Sequence, residues 1–169
     1  MRIAIIGYSC SGKSTLAEHL GKRYGIPVLH LDAVHFLPDW KERSEEKANG
    51  IVSRFLATNE QWVIDGNYRN LCYRQRLNAA DRIYVLLFPR LACLGRAIRR
   101  FRRYRGKSRE DVGKGCVEKL DAPFLFWVLW KGRNGKHRRH YGEIISAYRS
   151  KAIVIRTQRR LSALKEKEP

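Results

Sequence analysis

Gly7-Tyr8-Ser9-Cys10-Ser11-Gly12-Lys13-Ser14 is the stretch on which the fold turns. It fits G-x-x-x-x-G-K-[ST], the pattern of a loop whose backbone N–H groups cradle phosphate. Gly7 and Gly12 permit the tight turn, Lys13 would neutralise β- and γ-phosphates, and the Ser14 hydroxyl would complete a Mg²⁺ shell with Thr15 behind it. Ser9, Cys10 and Ser11 fill the loop and are candidate nucleotide contacts with it. Just before the loop, residues 2–6 (RIAII) form a β-branched run. Just after it, residues 13–24 set Leu16, Ala17 and Leu20 on one helical face. Strand, loop and helix in that order aim the helix N-terminus at an anion. The competing reading is an ordinary Gly/Ser turn that caps a helix.

Working outward, the strand type recurs at residues 28–31 (VLHL), 62–64 (WVI), 82–88 (RIYVLLF) and 152–155 (AIVI). Continuous apolar runs suit strands buried on both faces of a parallel sheet. Helical stretches lie between them, among them about 42–58 with Ile51, Phe55 and Leu56. Alternating strand and helix predict an α/β fold with right-handed crossovers. The interval 89–151 is far longer than one crossover and is read as a basic helical insertion in a single domain spanning 1–169. It should hold one helix over about 89–104, a turn at 105–108, and one or two helices from about 121 to 149.

The 169 residues carry 35 Lys+Arg against 16 Asp+Glu, a formal net charge of +19. The excess is local: residues 89–160 hold 21 basic against 5 acidic side chains, whereas residues 1–88 hold 12 against 9. A basic segment of this kind points to an anionic partner. The longest apolar run, residues 124–130, is too short to span a bilayer, which needs about 20 residues. No signal-peptide pattern precedes the first strand, so a cytoplasmic protein is expected. Cys10, Cys72, Cys93 and Cys116 are scattered without C-x-x-C spacing, so reduced thiols are expected rather than a zinc site or a disulfide framework.

Two carboxylates end predicted strands: Asp32 in His30-Leu31-Asp32 and Asp65 in Ile64-Asp65-Gly66. Ligands of open parallel sheets bind outside the carboxyl ends of the strands, so both should approach the loop. Phosphoryl transfer needs a group that orients the acceptor hydroxyl, for which Asp32 is the candidate. It also needs an acid that holds the Mg²⁺ water shell, for which Asp65 is the candidate. Each could instead cap a helix or turn. His35 is a candidate acceptor contact or a packed histidine. Trp40 walls the acceptor pocket or belongs to the core.

GYSCSGKST, LHLD with its FLPDW continuation, WVIDGNYR and RGKSREDVGKGC together resemble the nucleoside-monophosphate-kinase-like branch of P-loop proteins, close to adenylate and shikimate kinases. Within that branch they resemble the DNA topology modulation protein (FlaR-related) group, over about residues 3–116. The resemblance implies a three-layer P-loop NTPase fold whose five-stranded parallel sheet has the order 2-3-1-4-5, with a helical lid insertion. It also implies ATP with Mg²⁺ and a small-molecule acceptor. Adenylate kinases carry D-G-F-P-R where this chain has Asp65-Gly66-Asn67-Tyr68-Arg69, so Arg69 matches an acceptor or phosphate contact. The intervening Asn-Tyr speaks against AMP as the acceptor. Asp32 matches the acidic residue of shikimate- and gluconate-kinase-like enzymes. Arg96 and Arg100 match an Arg-x-x-x-Arg pair after the fourth strand, and Arg109 matches the lid arginine.

In the basic half, Arg96, Arg99, Arg100 and Arg103 form one helical stripe, with Arg102 and Arg105 well off it. Such a stripe suits a lid that closes over a triphosphate. A second cluster, residues 131–140 (KGRNGKHRRH), could grip a nucleic-acid backbone, although a solvated basic face is the commoner meaning of a charge run. His137 and His140 are read as part of that face. Trp127 with Trp130 and Phe124 with Val128 are read first as the face that docks the insertion, and Phe124, Phe126, Trp127 and Trp130 second as a base-stacking surface. The leading expectation is an ATP-dependent kinase acting on a small-molecule or nucleotide acceptor, with no membrane partner. The alternative is a nucleic-acid-binding protein in which ATP binding is regulatory.

Overall fold

A computed structural model describes residues 1–109, 111–113 and 115–167. Glu110 and Lys114 of the RGKSREDVGKGC stretch, and residues 168–169 of the expected single domain, lie outside the described residues. The chain runs β1 (Arg2–Gly7), α1 (Lys13–Tyr24), β2 (Val28–His30), α2 (Leu31–His35), β3 (Phe36–Leu37), a 3₁₀ turn (Pro38–Trp40), β4 (Lys41–Glu42), α3 (Glu45–Thr58), β5 (Trp62–Asp65), α4 (Tyr73–Ala79) and β6 (Arg82–Leu86). It continues with α5 (Arg90–Tyr104), α6 (Ala122–Leu129), a 3₁₀ turn (Lys131–Arg133), α7 (Gly135–Ala147), β7 (Ala152–Ile155) and α8 (Gln158–Lys167).

Five strands form one parallel sheet in the order β2-β5-β1-β6-β7. The labels depart from the expected 2-3-1-4-5 because β3 and β4, a two-residue antiparallel hairpin that the sequence did not predict, intervene in the numbering. Among the five sheet strands alone, the spatial order is second, third, first, fourth, fifth.

Both faces of the sheet are covered, which is why the strands read as unbroken apolar runs. Ala4 and Ile6 of β1 join Ala48 and Val52 of α3, Leu77 of α4 and Tyr141 of α7 on one face. Ile3 and Ile5 point the other way, to Leu16 and Leu20 of α1, Cys93 of α5, Val128 of α6 and Leu161 of α8. Thus α5, α6 and α7, all within 89–151, reach the two cores of the sheet. Among the described residues, 105–121 form no helix; isolated bridges join Arg105 to Glu118 and Ser108 to Val117.

Three sequence expectations change. Asp32 does not end a strand: Leu31 already begins α2, so the carboxylate sits in the first turn of a five-residue helix. The expected docking face holds at Phe124 and Val128 but not at Trp127 and Trp130, which are exposed. Phe124 packs on the core and Val128 is buried, but Phe126 and Trp130, four apart on the other side, are 55% and 53% exposed and stack with centroids 5.7 Å apart. The cluster 131–140 is not uniformly solvated either. Arg133 is buried, donating to the carbonyls of Val128 at 2.7 Å and Phe88 at 2.8 Å, with its guanidinium 4.0 Å from the Tyr8 ring centroid. A chain turning out of α6 leaves carbonyls without helical partners, and Arg133 satisfies one of them.

Candidate functional site

The loop between β1 and α1 is shaped by backbone conformations that few residues tolerate. Gly7 has φ 142°, and a Cβ there would lie 2.2 Å from the Leu86 carbonyl oxygen. Gly12 has φ 96° at the N-cap of α1. Between them Cys10 adopts φ 58°, a left-handed conformation uncommon for a side chain with Cβ. The Lys13 ammonium arches back over the loop and donates to the Tyr8 carbonyl at 3.1 Å. Burial pushes the Cys10 thiol up, against the pull of Arg100 and Lys13, so it stays protonated. Ser11 is fully buried beneath the loop, and Thr15 faces the cleft above it.

Asp65, at the carboxyl end of the neighbouring strand β5, is only 4% exposed. Its Oδ2 accepts the Ser14 hydroxyl at 3.0 Å, and its Oδ1 lies 2.5 Å from His30 Nδ1. Burial disfavours the imidazolium, but the hydrogen bond and charge of Asp65 outweigh it and raise the His30 pKa. His30 was not singled out from sequence, since nothing local ties residue 30 to residue 65. Parallel pairing of β2 with β5 sets them opposite each other.

A cleft of about 1180 Å³ opens in front of the loop. On one side stand Lys13, Ser14 and the α5 stripe Arg96, Arg99, Arg100 and Arg103; Arg102 and Arg105 do not line it. Arg96 donates to the Ser11 carbonyl at 2.8 Å and to Gln158 Oε1 at 2.7 Å, with its guanidinium 3.8 Å from the Phe88 ring centroid. Burial lowers its pKa. Arg100 and Arg109 converge on Glu118, whose side chain is 2% exposed, at 2.7 Å each. Arg109 also grips both oxygens of Asp111, at 2.9 and 2.7 Å. A single Glu in a basic segment gives no local sign that it is the buried counter-ion of two arginines.

Asp32, His35, Trp40, Tyr68 and Arg69 also line the cleft. The Tyr68 hydroxyl donates to Asp32 Oδ1 at 2.8 Å. Burial and the Asp32 charge push that phenol well up, so it remains a donor. His35 stacks obliquely on Tyr68, centroids 4.5 Å apart, with Nε2 3.6 Å from Glu42 Oε1. Trp40 lines the cleft and donates to the Val117 carbonyl at 2.8 Å, so it joins the β3–β4 hairpin to the segment that bears Arg109.

Asn67, next to Tyr68, is a site residue the sequence reading missed. Its carboxamide receives the Gly7 N–H at 2.9 Å and returns a bond to the Gly7 carbonyl at 2.6 Å. Asn67 and Tyr68 are the two positions that depart from Phe-Pro, and each supports one half of the site. Beneath them Arg76, fully buried, donates to the carbonyls of Leu71, Gly66 and Tyr68, and burial lowers it to about 10.

Among the described residues, no group of three or more His, Cys, Asp or Glu side chains could hold a metal ion unaided. No described helix is long and apolar enough to cross a membrane. No family model matches the chain, and no curated protein matches it. Among solved structures it is similar to an uncharacterized protein from Eubacterium ventriosum ATCC 27560. The two share 19% identity over 92% of this chain and 88% of the other, with a TM-score of 0.49.

Proposed function

We propose that this chain is an ATP-dependent phosphotransferase of the P-loop class, which moves the γ-phosphate of ATP to a small-molecule or nucleotide acceptor. The observation that carries the reading is the pairing of the Ser14 hydroxyl with Asp65 directly below a Gly-shaped loop over which Lys13 is folded. A hydroxyl and a carboxylate are hard oxygen donors and fit Mg²⁺, with nucleotide oxygens and water supplying the remainder. When bound, Mg²⁺ would draw charge from the β- and γ-phosphate oxygens.

The residues then divide the work. Backbone N–H groups of Ser9 to Thr15 and the N-terminus of α1 hold the phosphates. Lys13 leaves the Tyr8 carbonyl for the phosphates, and Arg96 brackets the loop from α5. Asp32 already accepts from Tyr68 through one oxygen, which leaves the other to take the acceptor proton. The acceptor oxygen forms a bond to the γ-phosphorus, the bond from that phosphorus to the β,γ-bridging oxygen breaks, and the electron pair leaves on ADP. Arg100 and Arg109, held at the cleft wall by Glu118 and Asp111, offset charge on the transferring group.

The test is a screen of nucleosides, nucleotides, sugars and small acids for ATP-dependent phosphorylation, run beside Lys13→Ala. One acceptor class should be labelled by the unaltered protein, with turnover abolished in a folded Lys13→Ala. Undiminished turnover in that variant would rule the reading out.

A second reading, nucleic-acid binding with a regulatory nucleotide, is favoured by the exposed Phe126–Trp130 stack directly before Lys131. Single-stranded and duplex DNA titrated at several salt concentrations test it. Specific use of the stack predicts a loss of about 1–3 kcal/mol in single-strand binding for Trp130→Ala. Equal, salt-erased binding by both proteins would mean charge attraction alone.

A further inference from the structure

His137 and His140, which the sequence places on a solvated basic face, instead line the cleft with Arg69 and Tyr73. They lie three apart on α7 and so share one helix face. His140 Nε2 is 2.9 Å from the Tyr73 hydroxyl, which reaches it from the start of α4. His137 meets the Trp127 ring edge-on with centroids 5.6 Å apart, and Trp127 Nε1 donates to Ser9 Oγ at 3.0 Å. A continuous wall therefore runs from the phosphate loop through Trp127 to the two imidazoles. Among the described residues, no carboxylate forms an ion pair with Arg69, His137 or His140.

We propose that His137 and His140, with the Tyr73 hydroxyl and beside Arg69, form an anion subsite that takes a phosphomonoester or carboxylate group borne by the acceptor. That the ligand is the acceptor rests on the phosphotransferase reading; the subsite itself does not. All four line the cleft, Arg69 and the two imidazoles carry no ion pair to a carboxylate among the described residues, and N–H and O–H groups of these types are donors to an oxyanion. Imidazoles also make the subsite responsive to pH. Burial and then the Arg69 charge lower both, with Lys136 adding to the effect at His137; Glu143 opposes it at His140. Tyr73 and the Tyr141 ring complete the titratable surroundings. An entering anion favours both imidazolium forms, so affinity rises as pH falls through the imidazole range.

Sulfate, doubly charged throughout that range, is the probe, titrated without nucleotide into the full chain and into Lys13→Ala, which weakens anion binding at the phosphate loop. Sulfate should bind Lys13→Ala about fivefold or more tightly at pH 6 than at pH 8, as expected of imidazolium donors. Adding His137→Gln and His140→Gln to it should remove this pH dependence. In the unaltered protein, ring-nitrogen NMR should show sulfate raising the titration midpoints of His137 and His140, a readout independent of how the variants fold. Ribose 5-phosphate and acetate as competitors then separate a phosphomonoester from a carboxylate. Sulfate binding lost with Lys13 alone, or imidazole midpoints unmoved by sulfate, would overturn the subsite. Failure to find any ATP-dependent transfer while sulfate still moves the two midpoints would overturn the phosphotransferase reading and leave the subsite standing.

Discussion

His30 shows how one side chain can serve the site from outside it. It faces Asp65, which in turn orients Ser14, so its charge state bears on the geometry of the phosphate loop. Its pKa is raised in the folded protein above the ordinary 6.5. A raised histidine contributes stability that is complete below the unfolded value and disappears as pH rises through the folded value. The unaltered protein should therefore lose denaturation midpoint as pH rises above the ordinary histidine value, relative to His30→Asn, in which that part of the slope is absent. Parallel pH profiles in the two proteins would show that the His30–Asp65 contact carries no proton linkage. At this scale the sequence is legible only where the pattern is local. Gly7, Gly12, Lys13 and Ser14 can be read from spacing. Asn67 on Gly7, Tyr68 on Asp32 and His30 on Asp65 bridge 60, 36 and 35 positions, and no local pattern encodes such pairs.

Elements are legible in proportion to the apolar surface they bury. The five sheet strands and α1 show themselves because nearly every inward position is aliphatic. Helix α5 shows itself through its basic stripe and small inner face, where Cys93 and Ala97 are buried. Helix α2 has five residues, the hairpin strands two each, and α4 buries an arginine where a leucine would have announced it. Among the described residues, helix α8 has a single buried anchor, Leu161. The described residues of 105–121 bury Val112 and Cys116 and are tied by Glu118, which joins Arg100 of α5 to Arg109. Glu118→Gln leaves Arg100 without its counter-ion and Arg109 with Asp111 alone, and should cost about 3 kcal/mol in denaturant unfolding. An unchanged midpoint would mean that water already screens the pair.

Across the whole molecule, the charge of +19 proves to be divided among different tasks. Arg96, Arg99, Arg100 and Arg103 face the cleft, Arg76 and Arg133 are internal braces that satisfy backbone carbonyls, and Glu118 with Asp111 offsets the charge of Arg100 and Arg109. The cleft is lined both by the α5 arginines and by Asp32 and Tyr68.

The central claim is that the loop at residues 7–14 binds the phosphates of ATP with Mg²⁺ through Lys13, Ser14 and Asp65. Calorimetric titration with a non-hydrolysable ATP analogue, with and without Mg²⁺, in the unaltered protein and in Lys13→Ala, addresses it most directly. The account predicts saturable binding that Mg²⁺ strengthens and that Lys13→Ala weakens by about tenfold or more, as expected for loss of a charge-assisted phosphate contact. Equal, Mg²⁺-independent binding by both proteins would contradict it.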